Sequence, residues 1–419
     1  MPASNSLRIS EMCRLQFLFF RVFLLHALHI VFCNALTATP PPYGQLSVSG
    51  TKLVGSNGQP VQLIGNSLFW HQFQGQYWNA DTVKALKCNW NANVVRAAVG
   101  VDLERGYMSD PTSAYNLAVA VIEAAISQGM YVIVDWHSHE AHADKAVEFF
   151  TKIAKAYGSY PHVLYETFNE PLQGVSWTNI LVPYHKKVIA AIRALDAKNV
   201  IILGTPTWCQ DVDLASQNPI KEYKNLMYTF HFYASTHFVN GLGAKLQTAI
   251  NNGLPIFVTE YGTCAADGNG NIDTNSISSW WTLLDNLKIS YLNWAISDKS
   301  ESCSALKPGT PAANVSMAIS VKWTYIKIPA KVGVSSAWTT SGNLVAAHDK
   351  KKSTGVSCNG ATPARGSSSA NSGKPAAAKK PPAKPAAAKK PPAKPAAAKK
   401  PPAKSAKAAP AKKPKSKSG

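Results

Sequence analysis

The chain has 419 residues, with 43 Lys and Arg against 23 Asp and Glu, a formal net charge of +20. That excess is local: 19 of the basic residues lie from Lys350 onward, where there is no acid, which leaves 24 basic against 23 acidic residues in the first 349. Charge therefore gives no reason to read the body as a nucleic-acid-binding domain, and a body of roughly 300 residues suits one α/β barrel better than two small domains.

Residues 1–38 read as an export signal. Arg8 and Arg14 precede an apolar stretch, 15–33, and Cys33-Asn34-Ala35 offers a small-residue cleavage context. A membrane anchor fits less well, because Arg21 interrupts a run that barely reaches bilayer length. Once the signal is removed no membrane association is expected, and the protein is read as secreted. Of seven cysteines, Cys88, Cys209, Cys264, Cys303 and Cys358 lie beyond the signal. An odd number without CxxC spacing argues against a zinc site and against a disulfide scaffold. Cys264 with Cys303 is a candidate pair, and free thiols are the equal alternative.

Strand-like runs at 61–66, 93–99, 131–137, 162–169, 200–204, 226–233, 256–261 and 290–296 alternate with helical patterns. Several runs are continuously apolar, as parallel strands covered on both faces should be. The helical patterns are 114–127 (closed by Gly129), 144–157 (closed by Gly158), 183–195, and 276–286 with Trp280 and Trp281. Eight strands with intervening helices make the fold class α/β, a single (β/α)8 TIM barrel spanning 39–349. A doubly wound sheet is the alternative, but no GxGxxG turn follows an early strand. The segment 350–419 carries Lys-Pro-Ala-Ala-Ala-Lys-Lys-Pro-Pro-Ala three times, from Lys374, Lys384 and Lys394. Frequent proline and like charge predict an extended, disordered tail.

Glu170 and Glu260 each end a strand-like apolar run. A carboxylate beside a core strand costs free energy unless it is paired or used. Two at the same ends of two strands are the minimum equipment for breaking a glycosidic bond. Other polar groups fall at the same ends, where barrel active sites are built: Arg96, His137, Asn169, His231, Tyr233 and Trp294. Each alone is more often structural, but all of them converge on one rim.

Asn169-Glu170-Pro171, His231-Phe232-Tyr233 and Val258-Thr259-Glu260-Tyr261-Gly262 resemble glycoside hydrolase family five. Gly65-Asn66-Ser67-Leu68-Phe69-Trp70, Val95-Arg96-Ala97-Ala98, Ile133-Val134-Asp135-Trp136-His137 and the run from Asn293 to Glu301 narrow the resemblance to endo-β-1,4-glucanases of bacterial and plant-parasitic nematode type. The resemblance implies Glu170 as acid/base and Glu260 as nucleophile of a retaining cellulase. It implies Asn169 on the sugar 2-hydroxyl, and Arg96 beside Glu260, holding it ionised. His231 and Tyr233 would orient the two acids and His137 would line the −1 site. Trp70 and Trp294 would stack on glucose rings, and Lys299, Glu301 and Ala266 would contact substrate. It implies no metal and no organic cofactor, a β-1,4-glucan as partner and a monomer.

The stretch 315–331 departs from the family pattern and reads either as an unremoved intron in the gene model or as a surface insertion; lying after strand eight, it is placed to disturb the final helix. Two alternatives stay open. The same mechanism would serve mannan, xylan or mixed-linkage glucan. From another class, the basic tail would bind a polyanion; an exported protein meets acidic cell-wall polysaccharide, such as de-esterified pectin, rather than nucleic acid.

Overall fold

The computed structural model describes residues 36–318 and 325–358. The export signal up to residue 35 and the repeat tail from residue 359 lie outside the described residues. Two short strands, Ser47–Ser49 (β1) and Lys52–Val54 (β2), pair as an antiparallel hairpin. Eight parallel strands then close a barrel: Ile64–Leu68 (β3), Val94–Gly100 (β4), Tyr131–His137 (β5), Val163–Glu166 (β6), Ile201–Leu203 (β7), Leu226–Tyr233 (β8), Ile256–Gly262 (β9) and Tyr291–Ile296 (β10). Their order around the barrel follows the chain, with β10 returning to β3.

Local chemistry explains the alternation with helices. In Pro111–Gln128, Asp110 caps the first turn by accepting from Ser113 N, proline opens the helix, and Gly129 ends it at φ +68°. That left-handed angle suits a residue without Cβ. At Gly65 a Cβ would lie 1.9 Å from the Val94 carbonyl oxygen, so only glycine lets β3 and β4 pack this closely. The helices bury one face against the outside of the barrel. Leu46 and Leu53 from the hairpin region close its floor by packing with Leu63, Val94, Ile133, Leu164 and Phe257. No helix among the described residues is long and apolar enough to cross a membrane.

Four features differ from the sequence reading. The first barrel strand is Ile64–Leu68 rather than 61–66, because Val61 belongs with the floor. Strand β6 ends at Glu166, so Asn169 and Glu170 stand on a turn beyond it. Their amides still bond Trp136 and Ser138 carbonyls, which carries β6 alongside β5 without regular pairing. Helices Ala80–Asn89 and Leu242–Asn251 were not singled out by pattern. The stretch 315–331 supplies an antiparallel pair, Val315–Ala318 (β11) with Tyr325–Ile328 (β12), and the final helix forms intact at Thr340–Asp349.

The cysteines correct the expectation of no disulfide scaffold. Cys264 bonds Cys303, and Cys88 bonds Cys358 across 270 residues of sequence; Cys209 is free and buried. The described fold thus continues past 349 to Cys358. Side chains at the starts of strands, Asn91 and Asn93, hold the carbonyls of Asp349, Lys352 and Thr354, so this final segment is fastened at the floor end of the barrel.

Candidate active site

The carboxyl ends of the strands open into a cleft of about 580 Å³. Its walls include Trp70, His137, Glu170, Tyr233, Glu260, Ala266, Trp294, Lys299 and Glu301. The remaining residues singled out from sequence, Arg96, Asn169 and His231, are buried in the floor beneath. All twelve therefore meet at one end of the barrel.

Arg96 projects from β4 and organises that floor. Its Nη1 donates to Glu260 Oε2 at 2.8 Å, and Nε and Nη2 form a fork on Glu166 at 2.7 and 3.2 Å. Nη2 also donates to Asn169 Oδ1 at 2.6 Å and lies 3.0 Å from Asp135. Burial opposes the guanidinium charge, but the fields of Asp135, Glu166 and Glu260 outweigh it and hold the proton firmly. Three acids share one cation, which corrects the simple expectation for Glu260. Burial raises its pKa above the ordinary value and Glu170 adds to the rise, against the opposing pull of His231, Arg96 and a Tyr233 hydrogen bond.

The two acids differ in their partners. Glu260 is 3% exposed and accepts from Tyr233 Oη at 2.6 Å. Glu170 is more open and meets His231 Nδ1 at 2.9 Å. One oxygen from each carboxylate and a nitrogen of His231 all lie within 4.8 Å of one another. Two carboxyls this close are suited to direct attack by one of them.

His137 donates Nδ1–H to Asp135 Oδ2 at 2.7 Å, so its Nε2 is left to accept, 3.4 Å from Asn169 Nδ2. Burial and nearby Arg96 push its pKa well down, so the ring is neutral. It lies flat against Trp294 and meets the edge of Trp70 at 4.8 Å. Lys299 pairs with Glu301 at 2.5 Å on the same wall. The Cys264–Cys303 bond ties the loop after β9, which carries Ala266, to the loop after β10, which carries Lys299 and Glu301.

Sequence reasoning gave no role to Asp135 and Glu166, both fully buried beside Arg96. The available signal was an acid inside an otherwise apolar strand, two residues before His137 and four before Glu170. It also passed over Trp208, which is 37% exposed on the segment after β7. Three consecutive left-handed residues, Thr207, Trp208 and Cys209, present it there, and its amide donates to the Pro171 carbonyl next to Glu170 at 2.8 Å.

The model of the family "Cellulase (glycosyl hydrolase family 5)" matches residues 54–300. The chain belongs to this family. It is 43% identical to Endoglucanase Z of Dickeya dadantii over 73% of this chain and 71% of that protein. It is likewise 43% identical to an endoglucanase of Clostridium saccharobutylicum, over 66% of this chain and 62% of that one. The chain thus spans between three fifths and three quarters of these relatives. A solved protein from Cytophaga hutchinsonii superposes with a TM-score of 0.67 at 43% identity, covering 74% of this chain and 95% of the other. The catalytic domain of a Thermobifida fusca endoglucanase, solved with cellotetraose, gives 0.65 at 31% identity over 74% and 99%. The family 5 match contains every candidate site residue up to Trp294 and Lys299, leaving only Glu301 just past its end.

Proposed function

We propose that this protein is an endo-β-1,4-glucanase that hydrolyses internal bonds of cellulose with retention of anomeric configuration. The observation that carries the reading is the pair of unlike carboxyls within 4.8 Å, Glu260 held by Arg96 and Tyr233, Glu170 held by His231. Family membership and the printed names of the relatives support the substrate class.

In the first step a Glu260 oxygen attacks the anomeric carbon while Glu170 gives its proton to the departing sugar oxygen. The glycosidic C–O bond breaks as the ester bond to Glu260 forms. In the second step Glu170 takes a proton from water, whose oxygen displaces Glu260 and restores the starting enzyme. Arg96 and Tyr233 place positive hydrogen-bond donors on Glu260, so it departs readily as a carboxylate. Trp294 and Trp70 present flat apolar faces on one side of the cut, suited to the faces of glucose rings.

The deciding experiment incubates carboxymethylcellulose, mannan, xylan and mixed-linkage glucan with the protein and follows reducing ends, viscosity and the anomer first released. A rapid fall in viscosity on carboxymethylcellulose with β-anomer product is expected. Activity confined to mannan or xylan would transfer the same chemistry to another sugar. Glu170→Gln and Glu260→Gln should each remove nearly all turnover while the fold persists.

Export is part of the proposal, supported by the composition of residues 1–38 and by two disulfides that suit an oxidising compartment. N-terminal sequencing of protein recovered from the medium tests it. The basic tail is proposed to hold an acidic cell-wall polysaccharide, on the strength of 19 cationic and no acidic residues from Lys350 onward. Equal binding of full-length and tail-deleted protein to polygalacturonate at low salt would dismiss that role.

A further inference from the structure

The buried acid Glu166 has no place in the two-step scheme, yet a continuous chain of hydrogen bonds runs from it to Glu170. Thr259 Oγ1 lies 2.6 Å from Glu166 Oε1, 2.9 Å from His231 Nε2 and 2.5 Å from Thr229 Oγ1. His231 Nδ1 in turn lies 2.9 Å from Glu170 Oε1. Glu166, Thr229 and Thr259 are fully buried and His231 is nearly so. At this depth each polar atom needs a partner of the right polarity.

Counting hydrogens settles the direction of the chain. The Arg96 fork keeps Glu166 as a carboxylate that only accepts. The single Thr259 hydroxyl hydrogen therefore goes to Glu166. Thr229 then donates to Thr259, and the remaining Thr259 lone pair faces His231 Nε2, which must carry a hydrogen. With Nε2 protonated, Nδ1 and Glu170 face each other across one further proton. That proton sits either on the Glu170 oxygen or on Nδ1, and the two groups titrate as a pair.

We propose that Glu166 and Thr259 are positioning residues that fix the Nε2–H form of His231 and so keep the proton used in catalysis on the Glu170–His231 hydrogen bond. This rests on reading Glu170 as the acid/base. Charge supports the geometry. Burial alone would drive the proton off His231, but the Glu166 carboxylate 3.8 Å from Nε2, the hydrogen bond to Glu170 and the field of Glu260 reverse this and raise its pKa to about 9. The other charged or titratable groups packed around this chain are Arg96 from β4, Asp135 and neutral His137 from β5, His139 from the loop after β5 at 3.9 Å from Glu170, the protonated Cys209 thiol from the turn after β7, Tyr233 at the end of β8 and His237 from the loop after it.

The test compares wild type, Thr259→Val and Glu166→Gln by the pH dependence of kcat/KM on a soluble aryl cello-oligosaccharide, together with 15N NMR of the His231 ring. Thr259→Val removes the acceptor for Nε2–H but leaves Arg96 and Glu260 in contact. Its basic limb should fall by about one pH unit, roughly a tenfold loss on the alkaline side, while its acidic limb stays put. Glu166→Gln removes the anion as well and frees Arg96 for Glu260, so both limbs should move to lower pH. Wild-type His231 should show a protonated Nε2. Limbs unmoved in both variants, or a wild-type ring carrying its hydrogen on Nδ1 alone, would overturn the proposal even if kcat fell. If Glu166→Gln fails to fold, Thr259→Val and the wild-type spectrum decide. An active Glu170→Gln would instead remove the acid/base reading, and the ring spectrum would still report on Glu166 and Thr259.

Discussion

Tyr233 donates its phenolic hydrogen to Glu260 Oε1 over 2.6 Å, while Arg96 holds the other oxygen at 2.8 Å. Both oxygens of the buried acid are thus engaged before any sugar arrives. Tyr233→Phe deletes one of these bonds with little change of shape. A hydrogen bond to a charged group contributes about 1.5–3 kcal/mol, so kcat should fall roughly 10- to 100-fold. The same bond lowers the Glu260 pKa. Its loss should move the acidic limb of kcat/KM to higher pH, which a pH series on a soluble substrate will read.

The unlike surroundings of the two acids predict unlike chemical rescue. With Glu170→Ala and an activated aryl substrate, azide should restore turnover and give a glycosyl azide of retained configuration, because the small anion replaces the base-assisted water. Glu260→Ala should yield no retained product under the same conditions. Product NMR separates the two outcomes.

Stability should decline on the alkaline side. His231 has a native pKa raised to about 9, against an ordinary 6.5. A raised native value contributes stability that is fully present below about pH 6.5 and is lost as pH climbs through 9. The sum at stake is on the order of 3 kcal/mol. Tm should therefore be lower at pH 9.5 than at pH 6.5, and His231→Asn should flatten that slope. His71 and His185, each lowered by burial to about 4, act with the opposite sign and weaken the fold as pH drops below 6.5.

The two disulfides should separate by function. Cys88→Ser releases a crosslink between residues 270 apart at the barrel floor, which should cost roughly 2–5 kcal/mol and leave kcat unchanged. Cys264→Ser frees the loops that carry Ala266, Lys299 and Glu301, so KM should rise as well. Thermal melts and steady-state kinetics on the two variants check both statements.

The barrel was legible because covered parallel strands must be apolar on both faces, a demand that prints continuous runs such as Tyr131–His137 and Leu226–Tyr233 on the chain. The candidate acids were legible because a charged residue at the end of such a run is conspicuous. Asp135 and Glu166 were less so, since an acid inside a strand has no meaning until its partner is known. Arg96 stands 39 and 70 residues before them, and no local pattern joins the three. The Cys88–Cys358 bond escaped for the same reason, with one cysteine assigned to the tail.

By itself, the sequence determined the period of the elements, the barrel class, the family, and the two glutamates with their surrounding polar rim. These depend on short-range rules of burial and on motifs a few residues long. Tertiary structure alone decided how one guanidinium is divided among Asp135, Glu166 and Glu260, and which atoms of His231 meet Thr259 and Glu170. Electrostatic sharing in a buried site varies with separations of an ångström, and barrel closure sets those separations by bringing together strands that are remote along the chain.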